Sequence, residues 1–179
     1  MDTIVTEKRT WTRSDVAELL ISKTALTELK MDHALQIVRL MTPRRVDAGT
    51  VLIREGITTT GFMAMVLQGD AVIENDVRGA NESMVLSMLT TGGLFGEIGV
   101  LDGKPRSATV TAVTDMDIAV LDRPALSRLI ETVPNVACAL MGAMMSLMAE
   151  RLRATNAKVK ALTAINRTLQ EEMDALRKH

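Results

Sequence analysis

A chain of 179 residues, 47% of them apolar, has material for one domain with a real core plus an appendage, which excludes a disordered protein. A net charge of −1 excludes a general attraction to nucleic acid, and with one tryptophan, two phenylalanines and no tyrosine there is no base-stacking surface to expect. The single cysteine, Cys138, forbids an intramolecular disulfide and reads as a buried inert thiol, and two histidines far apart, His33 and His179, give a metal site no support.

Residues 1–13 are polar and mixed, which predicts a flexible arm. Residues 14–26 carry apolar side chains at helical spacing (Val16, Leu19, Leu20) behind Ser14 as a cap. Residues 27–41 repeat the pattern, and Pro43 is expected to end that helix. From Arg44 the period changes to two. Short strands are expected around Val46, 51–53, 62–66, 71–73, 84–89, 107–113 and 116–121, with a polar loop at 75–82. Many short strands at steady spacing predict an antiparallel β-roll or jelly-roll barrel, mainly β within an α+β class. Asp122-Arg123-Pro124 opens a helix running to about Thr132, and Pro134 opens another.

That last helix keeps a seven-residue repeat. One inward position reads Cys138, Met145, Leu152, Val159, Asn166, Met173; the other reads Met141, Met148, Thr155, Leu162, Leu169, Leu176. Sustained heptads predict a coiled-coil seam, and an inward Asn166 suits a parallel homodimer. The expected organisation is an arm at 1–13, a domain at 14–133 and a long dimerisation helix at 134–179. The longest apolar run, 136–149, is too short to span a bilayer, and no signal peptide opens the chain, so a cytoplasmic protein without membrane insertion is expected.

The stretch that carries chemistry is Gly92-Gly93-Leu94-Phe95-Gly96-Glu97-Ile98-Gly99-Val100-Leu101-Asp102-Gly103-Lys104-Pro105-Arg106-Ser107-Ala108-Thr109-Val110. Its glycines let a ligand approach the main chain. A single helical turn begins after Gly96, so free amides point into the loop. Arg106 offers a planar fork suited to two phosphate oxygens. Glu97 only accepts hydrogen bonds, so beside a phosphate it calls for a hydroxyl donor such as a ribose. Together these describe a ribose-phosphate pocket. The same residues also fit a glycine-rich connection with a surface ion pair between Glu97 and Arg106.

The order Phe-Gly-Glu-Ile-Gly-Val-Leu, then Pro-Arg-Ser-Ala-Thr-Val, resembles the phosphate-binding cassette of cyclic-nucleotide-binding domains. The resemblance extends to 45–56 and to 62–73 with Leu67-Gln68-Gly69, covering roughly residues 20 to 158. It implies a β-roll flanked by helices, the last of which dimerises, as in the ligand-binding half of bacterial catabolite activators. It implies that Glu97 holds the ribose 2′-hydroxyl, with Ile98 beside it. Arg106 and Ser107 would hold the cyclic phosphate, near the amides of Gly96 and Ala108. Allowing a short insertion at 136–148, Thr155 and Asn156 would reach the purine. Gly99 and Val100 depart from the Ala-Leu of many members.

No helix-turn-helix segment follows, and the mixed charges of 158–179 do not read as a DNA-binding face, so no DNA is expected as a partner. The expectation is a sensor of cyclic AMP, with cyclic GMP second, relaying to an effector protein through its coil. The alternative is a ligand-independent dimerising scaffold with a vestigial pocket. An enzyme comes third, since no nucleophile–base pair or metal cluster is visible.

Overall fold

The computed structural model describes residues 10–23, 25–58, 61–76 and 83–177. Two compact units divide the chain, Met1–Ala143 and Met144–His179. Among the described residues the first holds eight strands in two four-stranded antiparallel sheets. These are β1 (Thr42–Val46), β2 (Val51–Ile53), β3 (Phe62–Gln68), β4 (Ala71–Asp76), β5 (Ser83–Leu89), β6 (Leu94–Phe95), β7 (Thr109–Ala112) and β8 (Met116–Asp122). One sheet runs β1-β8-β3-β6 and the other β2-β7-β4-β5.

Alternation along the strands decides what lies inside. Ala64 and Val66 of β3, Val110 and Ala112 of β7, and Met116, Ile118 and Val120 of β8 meet in one buried cluster with Phe95. Met63, Met65 and Leu67, on the opposite face of β3, are buried as well. Helices cover that face: α1 (Arg13–Leu20) and α3 (Glu97–Asp102) both pack against β3. This explains why β3 reads as a continuous apolar run rather than an alternating one.

The two N-terminal helices are shorter than their periodicity predicts. Helix α1 starts two residues earlier than expected because Thr12, not Ser14, caps it. The Asp15 amide donates to Thr12 Oγ1 (3.2 Å) and the Thr12 amide donates to Asp15 Oδ2 (2.9 Å), a reciprocal capping box. Replacing Thr12 by alanine should cost about 1 kcal/mol in chemical denaturation, and Thr12→Ser should keep most of it. Helix α2 (Met31–Val38) gives way to turns in which the Leu40 and Met41 amides donate to Ile37 O and Val38 O. Pro43 therefore does not end the helix. It lies in β1, an edge strand, where a residue without N–H is tolerated.

Of the expected arm, residues 1–9 lie outside the described residues, as does the loop at 77–82. Trp11 Nε1 donates to Asp117 Oδ2 at 3.2 Å. Helix α4 (Arg123–Thr132) begins as its sequence predicts, with the Ala125 amide donating to Asp122 Oδ1 at 2.8 Å. Helix α5 is continuous over Pro134–Arg177. Within the first unit it buries Val136, Ala137, Leu140 and Ala143. In the second unit every residue from 152 to 177 is exposed, the apolar heptad positions Leu152, Val159, Leu162, Leu169 and Met173 included. Cys138 is exposed, which corrects the expectation of a buried thiol. It sits on the outward side of the turn whose inward residues are Val136, Ala137 and Leu140.

Candidate functional site

The cassette leaves the first sheet at Phe95 and turns into α3 through Gly96, whose φ of 76° lies in the left-handed region that a β-carbon disfavours. Gly103, with φ 64°, ends the helix. Arg106 then returns the chain to the barrel. Its amide donates to Ile57 O (3.1 Å) and its carbonyl accepts from the Gly56 amide (2.9 Å), so the backbone of the cassette is tied to the loop after β2. The Glu55 amide donates to Thr109 Oγ1 at 3.1 Å and fastens the same loop from the other side.

Glu97 and Arg106 are the two buried charged residues of the described chain, 4% and 7% exposed. A surface ion pair in a glycine-rich connection therefore does not describe them. The Arg106 side chain folds over the start of β3. Its Nη1 donates to Gly96 O (3.0 Å) and to Phe62 O (3.3 Å), and its Nη2 donates to Phe62 O (3.4 Å). The guanidinium carbon lies 4.9 Å from the centroid of the Phe62 ring, a cation–π contact. Burial pushes the Arg106 pKa below its ordinary value, while the negative charges of Asp102 and Glu97 pull it upward. An arginine stays protonated regardless, so burial leaves a poorly solvated cation that favours an anion beside it.

Gly96, Glu97, Ile98, Arg106, Ser107 and Ala108 thus share one cassette, although Ile98 and Ser107 are exposed and Ala108 is half-buried. Thr155 and Asn156 belong to the other compact unit and are no part of the cassette. Both are exposed on α5, and the Thr155 hydroxyl donates to Arg151 O at 2.9 Å. The sequence reading missed Phe62, which offers Arg106 a carbonyl and a ring face. A backbone carbonyl leaves no signal in a sequence. Among the described residues no group of acidic, histidine and cysteine side chains has the arrangement of a metal site.

Residues 43–133, just over half of the chain, match the family described as the cyclic nucleotide-binding domain. The chain belongs to that family. A cyclic AMP-dependent protein kinase regulatory subunit of Yarrowia lipolytica is 33% identical over 108 residues, which is 60% of this chain and 28% of that protein. The chain therefore spans between a quarter and a third of that relative's length. The catabolite activator protein of Thermus thermophilus superposes with a TM-score of 0.67 at 23% identity, covering 81% of this chain and 63% of that one. At that identity the likeness is one of fold, and it bears out the β-roll with a long C-terminal helix. The regulatory domain of Toxoplasma gondii protein kinase A, solved with cyclic AMP, matches with a TM-score of 0.59 at 26% identity over 68% of this chain and 46% of that one. This cyclic nucleotide-binding domain contains no described helix long and apolar enough to cross a membrane.

Proposed function

We propose that the chain is a cytoplasmic cyclic mononucleotide sensor, with cyclic AMP as its foremost ligand, that signals to an effector protein through a dimeric coil. The observation that carries the ligand reading is the pair of buried charges in one cassette, Glu97 and Arg106. A desolvated guanidinium beside exposed Ser107 suits a phosphate. A carboxylate one residue beyond Gly96 suits the ribose 2′-hydroxyl. The regulatory domain solved with cyclic AMP supports that choice of nucleotide. The residues act as a binding site: Arg106 orients the phosphate, Glu97 orients the sugar, and neither is an acid–base pair for hydrolysis.

A thermal shift tests this reading. A ligand present at about 100 times its Kd adds about 2.7 kcal/mol. For a chain of this size that is a rise of roughly 5–10 °C in Tm. No shift with cyclic AMP or cyclic GMP would favour the alternative, a dimerising scaffold with a vestigial pocket.

The dimer reading rests on the exposed heptad face of α5. A solitary helix would leave Leu152, Val159, Leu162, Leu169 and Met173 in water, and pairing two helices in parallel buries them. Asn166 then faces its counterpart across the seam. Light scattering should give a dimer at micromolar concentration. Asn166→Leu should raise the melting temperature and broaden the choice of oligomer. A monomeric wild-type chain would contradict the seam.

A further inference from the structure

Helix α5 carries both signs of charge, but it keeps them apart. From 151 to 170 it holds Arg151, Arg153, Lys158, Lys160 and Arg167 and no aspartate or glutamate; Glu171, Glu172 and Asp174 then follow as a block. Arg153, Lys158 and Lys160 are exposed, and among the described residues no carboxylate pairs with them. Arg167 closes the stretch, its Nε donating to Glu171 Oε1 at 2.9 Å. The heptad puts Arg153, Lys160 and Arg167 at one outward position, and Lys158 on the opposite shoulder of the helix. Between these cations lie Ala154, Ala157, Ala161 and Ala164, all exposed and all on the side away from the apolar heptad face. Alanines hold no neighbour off, so another helix can come close to the backbone there.

The unpaired cations select a partner of negative charge. A phosphate backbone would use them and leave the alanines without a role, and 153–167 offers no aromatic side chain to stack on a base. A lipid surface calls for bulky apolar side chains between the cations, which alanines do not supply. An acidic helix uses both features. We propose that 153–167 of α5 is a docking face for an acidic amphipathic helix of a partner protein. The small or apolar stripe of that helix lies on Ala157 and Ala161, and its carboxylates, repeating every heptad, meet Arg153 and Lys160 on one side and Lys158 on the other. The inference rests on the proposed reading of α5 as the relay to an effector, whose contact it names. In a parallel dimer each chain turns one such face outward, so a partner helix docks without disturbing the seam.

The test is a fluorescence anisotropy titration of the whole chain against a labelled synthetic helix of about three heptads, with alanine along one stripe and glutamate on both of its flanks. The same peptide with glutamine for every glutamate is the control. The glutamate peptide should bind one per chain, and more weakly as salt rises. The glutamine peptide should bind roughly tenfold more weakly or worse. The triple variant Arg153→Gln, Lys158→Gln, Lys160→Gln should lose roughly tenfold as well, with its cyclic AMP affinity and oligomeric state unchanged. Ala157→Lys separates packing from charge. It should weaken binding; tighter binding would show that charge alone draws the peptide and would overturn the close contact. No binding of the glutamate peptide, equal binding of the two peptides, or tighter binding of duplex DNA or phosphatidylserine vesicles overturns the docking face. Tetramers that fall apart in salt, seen by light scattering without peptide, give the face to a second copy and overturn it too. A chain that binds cyclic AMP and dimerises but ignores the peptide keeps the sensor reading and loses the docking face. A chain that binds the peptide but not cyclic AMP keeps the face and loses the sensor.

Discussion

Replacing Arg106 by alanine should weaken cyclic AMP binding by tenfold or more. A hydrogen bond to a charged group contributes about 1.5–3 kcal/mol, and each 1.4 kcal/mol is tenfold in affinity. Two such bonds to phosphate oxygens exceed that threshold before any loss of long-range attraction. Arg106→Lys should recover little. A lysine keeps the charge but presents a point rather than a fork, and it cannot hold Gly96 O and Phe62 O while presenting two parallel donors. Arg106→Ala should also lower stability modestly, because Phe62 O loses both of its guanidinium donors. Calorimetry on folded protein separates the two effects. A lysine variant with wild-type affinity would mean that charge alone, without the fork, recognises the ligand.

Gly61→Ala should be the most destabilising single methyl addition in the barrel. Residue 61 lies just before β3, where α3 crosses it. A β-carbon there would stand 2.7 Å from the carbonyl carbon of Gly99 and 2.8 Å from Cα of Val100. Those atoms are backbone on both sides, so no flexible side-chain tip can yield. Overpacking of this kind costs about 1–3 kcal/mol and sometimes more. The upper end corresponds to a fall of roughly 6–12 °C in Tm. Gly142→Ala is the matched control. Its site on α5 has nothing within 4 Å, and there the helix propensity of alanine should raise stability. A Gly61→Ala protein as stable as wild type would show that α3 is free to lift from β3.

Much of the barrel was legible in the sequence because its strands alternate. Val110 and Ala112, or Met116, Ile118 and Val120, advertise a buried face at a period of two. Pro124 behind Asp122, and the heptads after Pro134, announced α4 and α5 for equally local reasons. The N-terminal helices were harder. Apolar spacing continued past Leu20 and past Val38, but both helices end in turns there, with the Ser22 amide donating to Leu19 O and the Leu40 amide to Ile37 O, and the start of α1 is fixed by a capping box at Thr12. Pro43 read as a breaker because its permissive setting, an edge strand, is a fact of topology.

In the cassette, the residue types announced Glu97 and Arg106, and both are buried beside the half-buried turn at Gly96. The seat of Arg106 was hidden. It is built from two backbone carbonyl oxygens and the ring face of Phe62, and a carbonyl's use as an acceptor is not written in the sequence.

The account stands most directly on a calorimetric titration of the wild-type chain with cyclic AMP and with its 2′-deoxy analogue. Cyclic AMP should bind saturably at one site per chain. The deoxy analogue should bind roughly tenfold more weakly, since it removes one hydrogen bond to the charged Glu97 acceptor. No binding of cyclic AMP would contradict the assignment of the cassette, and equal affinity for the two nucleotides would contradict the role given to Glu97.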